Sequence, residues 1–558
     1  MIYLLGIPIA LTFLFFFLRF KRQQEMRKRA EEVITKWSQP SEHPIDFKQL
    51  KAYCAYFAQE SGVHLSDAIA ADIDLENLFA YIDRTNSKPG QQYLYQKLRS
   101  GKKDPEALKQ LDLLAEQFAT DEHLRISTEI ELSALGSKNA YYIHELFTTS
   151  YQALYSGWIS LYIRFAAMLW IVSVVLTVVL KNQMFFLLSL GLTLFNFYLH
   201  YGNKKKISSY VHSLPQLYKL MKATERILKL VVHPEDAQPA RASLEELAPL
   251  QRSLSMVNFQ DKTSGDPTDL SASALELIKT FLLVEPAMFL KSVNRINQQR
   301  DNIEILFNFI GQTDMAISVL SLRTGLPYYC KPDFSGLKEE LKVTDLYHPL
   351  VENCVANSIE VKAEQGVLIT GSNMSGKTTF IRSLVINALL SQTLYTSCSN
   401  CYSAPFMNLF TSIRMSDDLE EHKSYFQAEA LSILDIVNKT MGQRESSLIL
   451  IDEIFRGTNT IERVAAAKAI LSYLTAHKNF TFVSTHDLEL AELLGKEYAV
   501  YSFEELVSET RLVFDYKIKP GILKNKNGLA ILSSMGYPQS IIEDATAIST
   551  VLRKKYDL

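Results

Sequence analysis

Apolar positions divide the chain into two parts with different periods. Before about residue 340 they recur at helical spacing or in unbroken runs, and after it they come in short blocks separated by turns. Ile2 to Leu18 is almost uninterrupted, and Arg19, Lys21, Arg22, Arg27, Lys28 and Arg29 follow at once. This run sits at the lower length limit for a spanning helix. No charge precedes it and no small-residue cleavage site follows it, so it predicts a retained anchor. Glu31 to Asp72 has helical spacing. Leu75 to Gly101 predicts a strand or helix end, a turn from Asp83 to Gly90, and an amphipathic helix stopped by Gly101. Helical spacing then continues toward Tyr162.

Phe165 to Leu180 and Met184 to Tyr201 are two further apolar runs, parted only by Lys181-Asn182-Gln183. A soluble helix that is apolar all round has no face for water, so the pair predicts a membrane hairpin. With the first run this gives three spanning helices. Arg164 precedes the hairpin, Lys204-Lys205-Lys206 follows it, and the first run has its own basic flank. Basic flanks stay cytoplasmic, which places Lys181 to Gln183 and the N-terminus outside and the rest of the chain inside. Ile207 to Thr344 returns to soluble helical character, interrupted by the polar stretch Asn258 to Ser271. No period of 20–50 residues recurs, which excludes a solenoid.

Composition changes this picture little. At 558 residues the chain allows about three to four domains. A formal net charge of −3 gives no global attraction to nucleic acid, so a DNA contact requires a local basic face. Lys97, Arg99, Lys102, Lys103 and Lys204 to Lys206 supply candidates, which suit anionic lipid equally well. Five scattered cysteines exclude a secreted disulfide framework. Cys398-x-x-Cys401 lacks a second ligand pair, so it predicts no zinc site.

The chemistry lies in the second part. Gly366-Val-Leu-Ile-Thr370 runs into Gly371-Ser372-Asn373-Met374-Ser375-Gly376-Lys377-Thr378-Thr379, which is G-x-x-x-x-G-K-[ST] where a strand turns into a helix. Its backbone N–H groups and helix N-terminus suit phosphate oxygens, Lys377 places a cation on them, and the Thr378 hydroxyl suits Mg²⁺. Farther on, Leu448-Ile-Leu-Ile451-Asp452-Glu453 reads as a buried parallel strand ending in two carboxylates. Asp452 is the metal candidate and Glu453 the group that polarises the attacking water. Phe482-Val-Ser484-Thr485-His486 ends another strand in an imidazole, a third catalytic candidate beside Lys377 and Glu453.

These motifs, in this order, resemble the MutS family of mismatch-repair ATPases. Gly-x-Asn-Met-x-Gly-Lys-Thr-Thr, Asp-Glu-x-x-Arg-Gly-Thr-x-Thr and Thr-His carry the resemblance, with Asp83-Arg84-Thr85 near the start of the helical part. The resemblance implies an α/β ABC-type P-loop ATPase domain at 341–523 joined to an all-α lever (core) domain at 75–340. The lever would contain the transmembrane hairpin at 165–201. It also implies a C-terminal helix–turn–helix at 524–558 that serves dimerisation, with 1–20 as anchor and 21–74 as helical linker. ATP and Mg²⁺ would be the cofactors, and a homodimer through the ATPase domains the working unit. Ser424 would face the γ-phosphate on the opposite subunit, and Arg456-Gly457-Thr458 would pass along the dimer interface. Double-stranded DNA and membrane lipids are the further partners implied. Two departures stand out. The mismatch-reading domain has no counterpart, and Cys354 stands where mismatch-repair members place a Phe beside the adenine, leaving Tyr516 to stack on the other face. The sequence therefore predicts a multi-pass cell-membrane ATPase with its nucleotide domain in the cytoplasm. It acts either as an ATP-gated DNA clamp or sensor, or as a mechanical ATPase on a membrane or protein partner.

Overall fold

A computed structural model describes residues 20, 24, 27–41, 44–61, 64–151, 157–230, 237–254, 277–335, 339–372, 374–413, 425–441, 445–455, 459–477, 479–508, 511–522, 532 and 536–556. The chain forms two compact units. One comprises Met1–Glu60, Asp83–Gln96 and Leu113–Ser321; the other comprises Ser61–Ile82, Lys97–Asp112 and Leu322–Leu558. Helices to residue 325 are α1 Phe47–Ser61, α2 Asp67–Asp72, α3 Leu75–Ile82, α4 Lys88–Arg99, α5 Pro105–Thr120, α6 Glu122–Ser133, α7 Glu145–Thr148, α8 Gly157–Leu180, α9 Gln183–Leu230, α10 Gln238–Leu254, α11 Val284–Gln298 and α12 Arg300–Gly325.

The first unit is helical. Its core gathers Leu132, Tyr141, Leu217, Leu220, Phe307 and Ile310, all buried. A polar knot sits within it. Asp314 of α12 accepts hydrogen bonds from the backbone N–H of Asn86 (2.9 Å) and Ser87 (2.8 Å), which organise the turn before α4. Burial pushes the Asp314 carboxyl up to about 6 despite these bonds.

Among the described residues, three helices are long and apolar enough to cross a membrane: Gly157–Leu180, Gln183–Gly202 and Arg300–Gly325. They differ in what covers them. Only 17% of each of the first two is buried, whereas 72% of the third is packed inside protein, so α12 is a core helix. The hairpin is therefore the expected one, with Lys181 at φ +47 in its tip. Its arms extend beyond the apolar runs. α8 starts at Gly157, and α9 continues for 48 residues, through Lys204 to Lys206 and on to Leu230. Lysine is a good helix former, so three of them end the apolar run without ending the helix. The expected anchor at Ile2 to Leu18 lies outside the described residues.

The second unit holds β1 Glu340–Leu346, β2 Asn357–Lys362, β3 Gly366–Gly371, α13 Lys377–Leu394, β4 Cys401–Ser403, β5 Asn408–Ser412, α14 Tyr425–Thr440, β6 Ser447–Asp452, α15 Thr460–Thr475, β7 Phe480–Thr485, α16 Leu488–Leu494, β8 Tyr498–Ser508, β9 Arg511–Pro520 and α17 Gln539–Tyr556. A small sheet has the order β2-β1-β4, and the main sheet runs β5-β6-β7-β3-β8-β9. All pairings from β5 to β8 are parallel, and β9 closes the edge antiparallel. Every residue of β3, β6 and β7 is buried, as expected of parallel strands covered on both faces. This α/β core is the one the sequence predicted. Most of the expected 524–535 half of the C-terminal helix pair lies outside the described residues, while its second helix is α17.

Candidate nucleotide site

Parallel strands bring their carboxyl ends to one edge, where ligands bind in open α/β sheets. Here β7 lies between β3 and β6, so three strand ends deliver their following residues side by side. Asp452 pairs in register with Ser484, and Thr370 with Thr485. The loop after β3, the imidazole after β7 and the carboxylates at the end of β6 therefore converge by topology.

The loop makes a cradle from its own backbone. Gly371 (φ +147) and Gly376 (φ +108) take up conformations that side chains disfavour. Lys377 is buried and folds back, donating from Nζ to the carbonyls of Gly371 (2.9 Å) and Ser372 (2.8 Å). Ser375 donates to the Ser372 carbonyl (2.9 Å), and Ser372 donates to Glu505 (2.6 Å). Met374 is 84% exposed yet is among the residues lining the cavity beside the loop, and Asn373 lies outside the described residues.

Thr378 donates its hydroxyl to Asp452 Oδ2 at 2.8 Å, while Ser484 donates to Asp452 Oδ1. Two hard oxygens beside a phosphate-type loop form a donor set that suits a divalent cation such as Mg²⁺. Glu453 adopts φ +57, fixed by its N–H donating to the Ser484 carbonyl at 3.0 Å. Its carboxylate meets His486 Nε2 at 2.9 Å. The segment after His486 is held by Arg463, which grips Asp487 with two bonds of 2.9 and 2.6 Å. Behind β6, the buried Glu429 accepts from the Phe455 N–H, fixing the chain just beyond the two carboxylates.

A cavity of about 580 Å³ joins these parts. Ser372, Lys377, Thr378, Thr379, Asp452 and Glu453 line its polar end; Val351, Cys354, Val355, Phe503 and Tyr516 line the other. Tyr516 arrives by a bulge. Phe503 pairs with Ile518 and Glu505 with Phe514, so three residues of β9 face one of β8. Tyr516, at φ +52, occupies this bulge and lays its ring over the loop, with Cδ1 3.2 Å from where a Cβ on Gly376 would stand. Asn357 clamps it. Its amide donates to the carbonyls of Tyr516 (3.0 Å) and Val355 (3.1 Å), and its oxygen accepts from the Ile518 N–H (2.8 Å).

The structure thus brings together Gly371, Ser372, Ser375, Gly376, Lys377, Thr378, Thr379, Asp452, Glu453, His486 and Tyr516. Ser424 and Arg456 to Thr458 lie outside the described residues. Sequence reasoning missed Asn357, Glu429, Ser484 as a partner of Asp452, Glu505 and the Arg463–Asp487 clamp. Ser484 and Asp487, which flank the Thr485-His486 motif, gave a signal.

A parallel sheet with a phosphate-type loop after one strand and paired carboxylates after another defines the P-loop ATPase class. Comparison with known proteins narrows this. Residues 367–553 match MutS domain V. The DNA mismatch repair protein MutS of Petrotoga mobilis is 30% identical over 285 residues, covering 50% of this chain and 34% of that protein. MutS protein homolog 4 of Mus musculus is 28% identical over 314 residues, covering 53% of this chain and 32% of the relative. The mismatch repair protein of Thermus aquaticus is 30% identical over 273 residues, with 47% and 32% covered. The chain therefore has a distant MutS-family homology and spans about a third of the length of the curated relatives it matches.

Proposed function

We propose that this chain is a membrane-held MutS-type ATPase whose nucleotide cycle acts through α9 on the membrane or on a partner within it. The observation that carries the ATPase reading is the convergence of Lys377, the Thr378–Asp452 pair and Glu453, itself paired with His486, on one cavity. The loop and Lys377 would hold the triphosphate, and Tyr516 would stack on the base. Thr378 and Asp452 would hold Mg²⁺, which supplies charge neutralisation to the phosphates when bound. Glu453, oriented by His486, would accept a proton from the attacking water. The working form would be a homodimer closed over two nucleotides, with the hairpin spanning the cell membrane and the ATPase domain in the cytoplasm.

The membrane reading is supported by α9, in which the apolar hairpin arm and the buried lever residues Leu217, Leu220 and Ile227 belong to one helix. The second reading, an ATP-gated DNA clamp or sensor, is favoured by the relatives named as mismatch repair proteins. Part of the candidate basic face is already engaged within the protein. Arg99 is buried and bonded to Asp67, Lys103 pairs with Glu445 at 2.6 Å, and Lys102 lies 3.5 Å from Asp104. The test is Mg²⁺-ATP turnover by the full chain in lipid nanodiscs, titrated with duplex DNA across salt. Turnover that ignores DNA but changes with lipid composition supports the membrane reading. Salt-dependent stimulation by duplex overturns it in favour of the clamp, and absence of turnover overturns both.

A further inference from the structure

Beside the hairpin the chain does something that neither ATP chemistry nor a simple two-helix anchor requires. Residues 277–281 are helical, and the chain then breaks at Leu282–Leu283 before α11 begins at Val284. Leu283 stands at φ +49 and is completely buried. The break is sharp: the Leu282 N–H still reaches the Ile278 carbonyl (3.0 Å), while the next helix starts with the Ala287 N–H on Leu283 (3.0 Å). Such a break leaves carbonyls without helical partners.

One of those carbonyls is met by a hairpin side chain. Asn196 of α9, fully buried, donates to the Phe281 carbonyl at 2.6 Å and accepts from the Tyr162 hydroxyl of α8 at 2.6 Å. The Phe281 ring lies against both arms, stacked on Trp170 at 5.4 Å and 5.6 Å from Phe197. Below them His200 Nε2 stands 4.0 Å from Glu285.

Depth follows from helical rise. Trp170 and Phe197 lie roughly 16 to 22 Å along their helices from the hairpin tip, past the middle of a hydrocarbon layer about 30 Å thick. A broken backbone at that depth is tolerated only where protein satisfies its polar groups, which is what Asn196 does. The outward side chains of the same turn, Leu277 (46% exposed) and Ile278 (50%), are apolar, and Phe281 one turn on packs against both hairpin arms. Lys279 on this turn sets a limit on depth, because a lysine ammonium within a bilayer must be paired or lie near the headgroup layer.

We propose that residues 277–283 form a re-entrant membrane element. The turn dips into the leaflet at the hairpin's base, places Leu277 and Ile278 among lipid acyl chains, and is fastened to both hairpin arms through Phe281 and Asn196. The inference rests on the reading of the hairpin as membrane-spanning, and the experiment separates the two.

The full chain carrying Cys401→Ser is placed in lipid nanodiscs, and bimane is attached at Ile278→Cys, Val178→Cys or Leu113→Cys, each read against the Cys401→Ser background. Emission is quenched either by nitroxide-bearing acyl chains or by iodide in the water. Ile278 should lose as much emission to acyl-chain nitroxide as Val178 on the hairpin, whereas Leu113 on α5 should respond to iodide alone. Quenching of Ile278 by iodide, with Val178 still quenched by lipid, overturns the re-entrant element and leaves the hairpin intact. Iodide quenching at both positions overturns the hairpin as well. Adding Asn196→Leu should move the Ile278 probe from lipid to iodide quenching, and an unchanged response overturns the fastening role of Asn196.

Discussion

On the ATPase reading proposed above, Asn357 would govern nucleotide affinity without itself contacting phosphate. Its side chain makes three bonds of 2.8 to 3.1 Å that hold a bulge in which Tyr516 sits at φ +52. Asn357→Ala leaves the Ile518 N–H and two carbonyls without their partner, at about 1–3 kcal/mol for each group that stays buried and unpaired. A tyrosine in the left-handed region stores strain of order 1 kcal/mol, so the bulge should relax and swing the ring off the loop. What binding then loses is the stack on the base, about 1–3 kcal/mol, or roughly 5- to 150-fold in Kd. Cys354 lines the same end of the cavity and offers no ring to compensate. The assay is a double-mutant cycle on ATP-analogue binding with Asn357→Ala, Tyr516→Ala and the pair. The double variant should bind about as weakly as Tyr516→Ala alone, with turnover at saturation nearly unchanged. Additive losses would refute the reasoning, because Asn357 would then act by some route other than Tyr516.

Three further outcomes follow from the same structure. Glu453→Gln keeps the shape beside His486 but removes the base, so turnover should fall about 10²–10⁴-fold with nucleotide binding retained, whereas Lys377→Ala should abolish binding; equal binding loss in both would show the roles misassigned. Gly376→Ala combines φ +108 with a methyl only 3.2 Å from the Tyr516 ring, so equilibrium binding should show weaker affinity for ATP, and unchanged affinity would refute the close approach. Burial, opposed by Arg125, raises the Glu129 carboxyl to about 7, so the unfolded chain releases this proton first and stability contributed below about pH 4.5 is lost as pH rises to about 7; Glu129→Gln should flatten that slope in pH-dependent melting, and an unaltered slope would refute it.

The phosphate loop was legible because its requirements are local: glycines, a lysine and a hydroxyl at fixed spacing encode one backbone shape. Asp452 and Glu453 were legible because a fully buried strand is a run of consecutive apolar residues that ends where polarity resumes. The meeting of Glu453 with His486 depends on β7 lying between β3 and β6, and strand order is not written in spacing. Asn357 and Glu505 were invisible for a related reason. Each is one polar residue in an ordinary strand, given meaning by a partner 159 or 133 positions away. The true length of α9 was hidden because hydropathy registers where lipid ends and says nothing about where hydrogen bonding ends. The Phe281–Asn196 bond, across 85 positions, had no sequence signal at all.

The unbroken α9 carries an obligation in the reverse direction. A helix of 48 residues is about 72 Å of rod, and its only proline, Pro215, falls well beyond the apolar arm. If nucleotide closure displaces this rod, linkage requires that anything displacing the rod also changes nucleotide affinity by the same factor. Bilayer thickness, lateral tension and curvature then become effectors of the ATP site on equal terms with any soluble ligand. On the proposed reading, a thicker or stretched membrane would alter the Kd for ATP with no further molecule bound, making the lipid phase itself an input that the protein weighs.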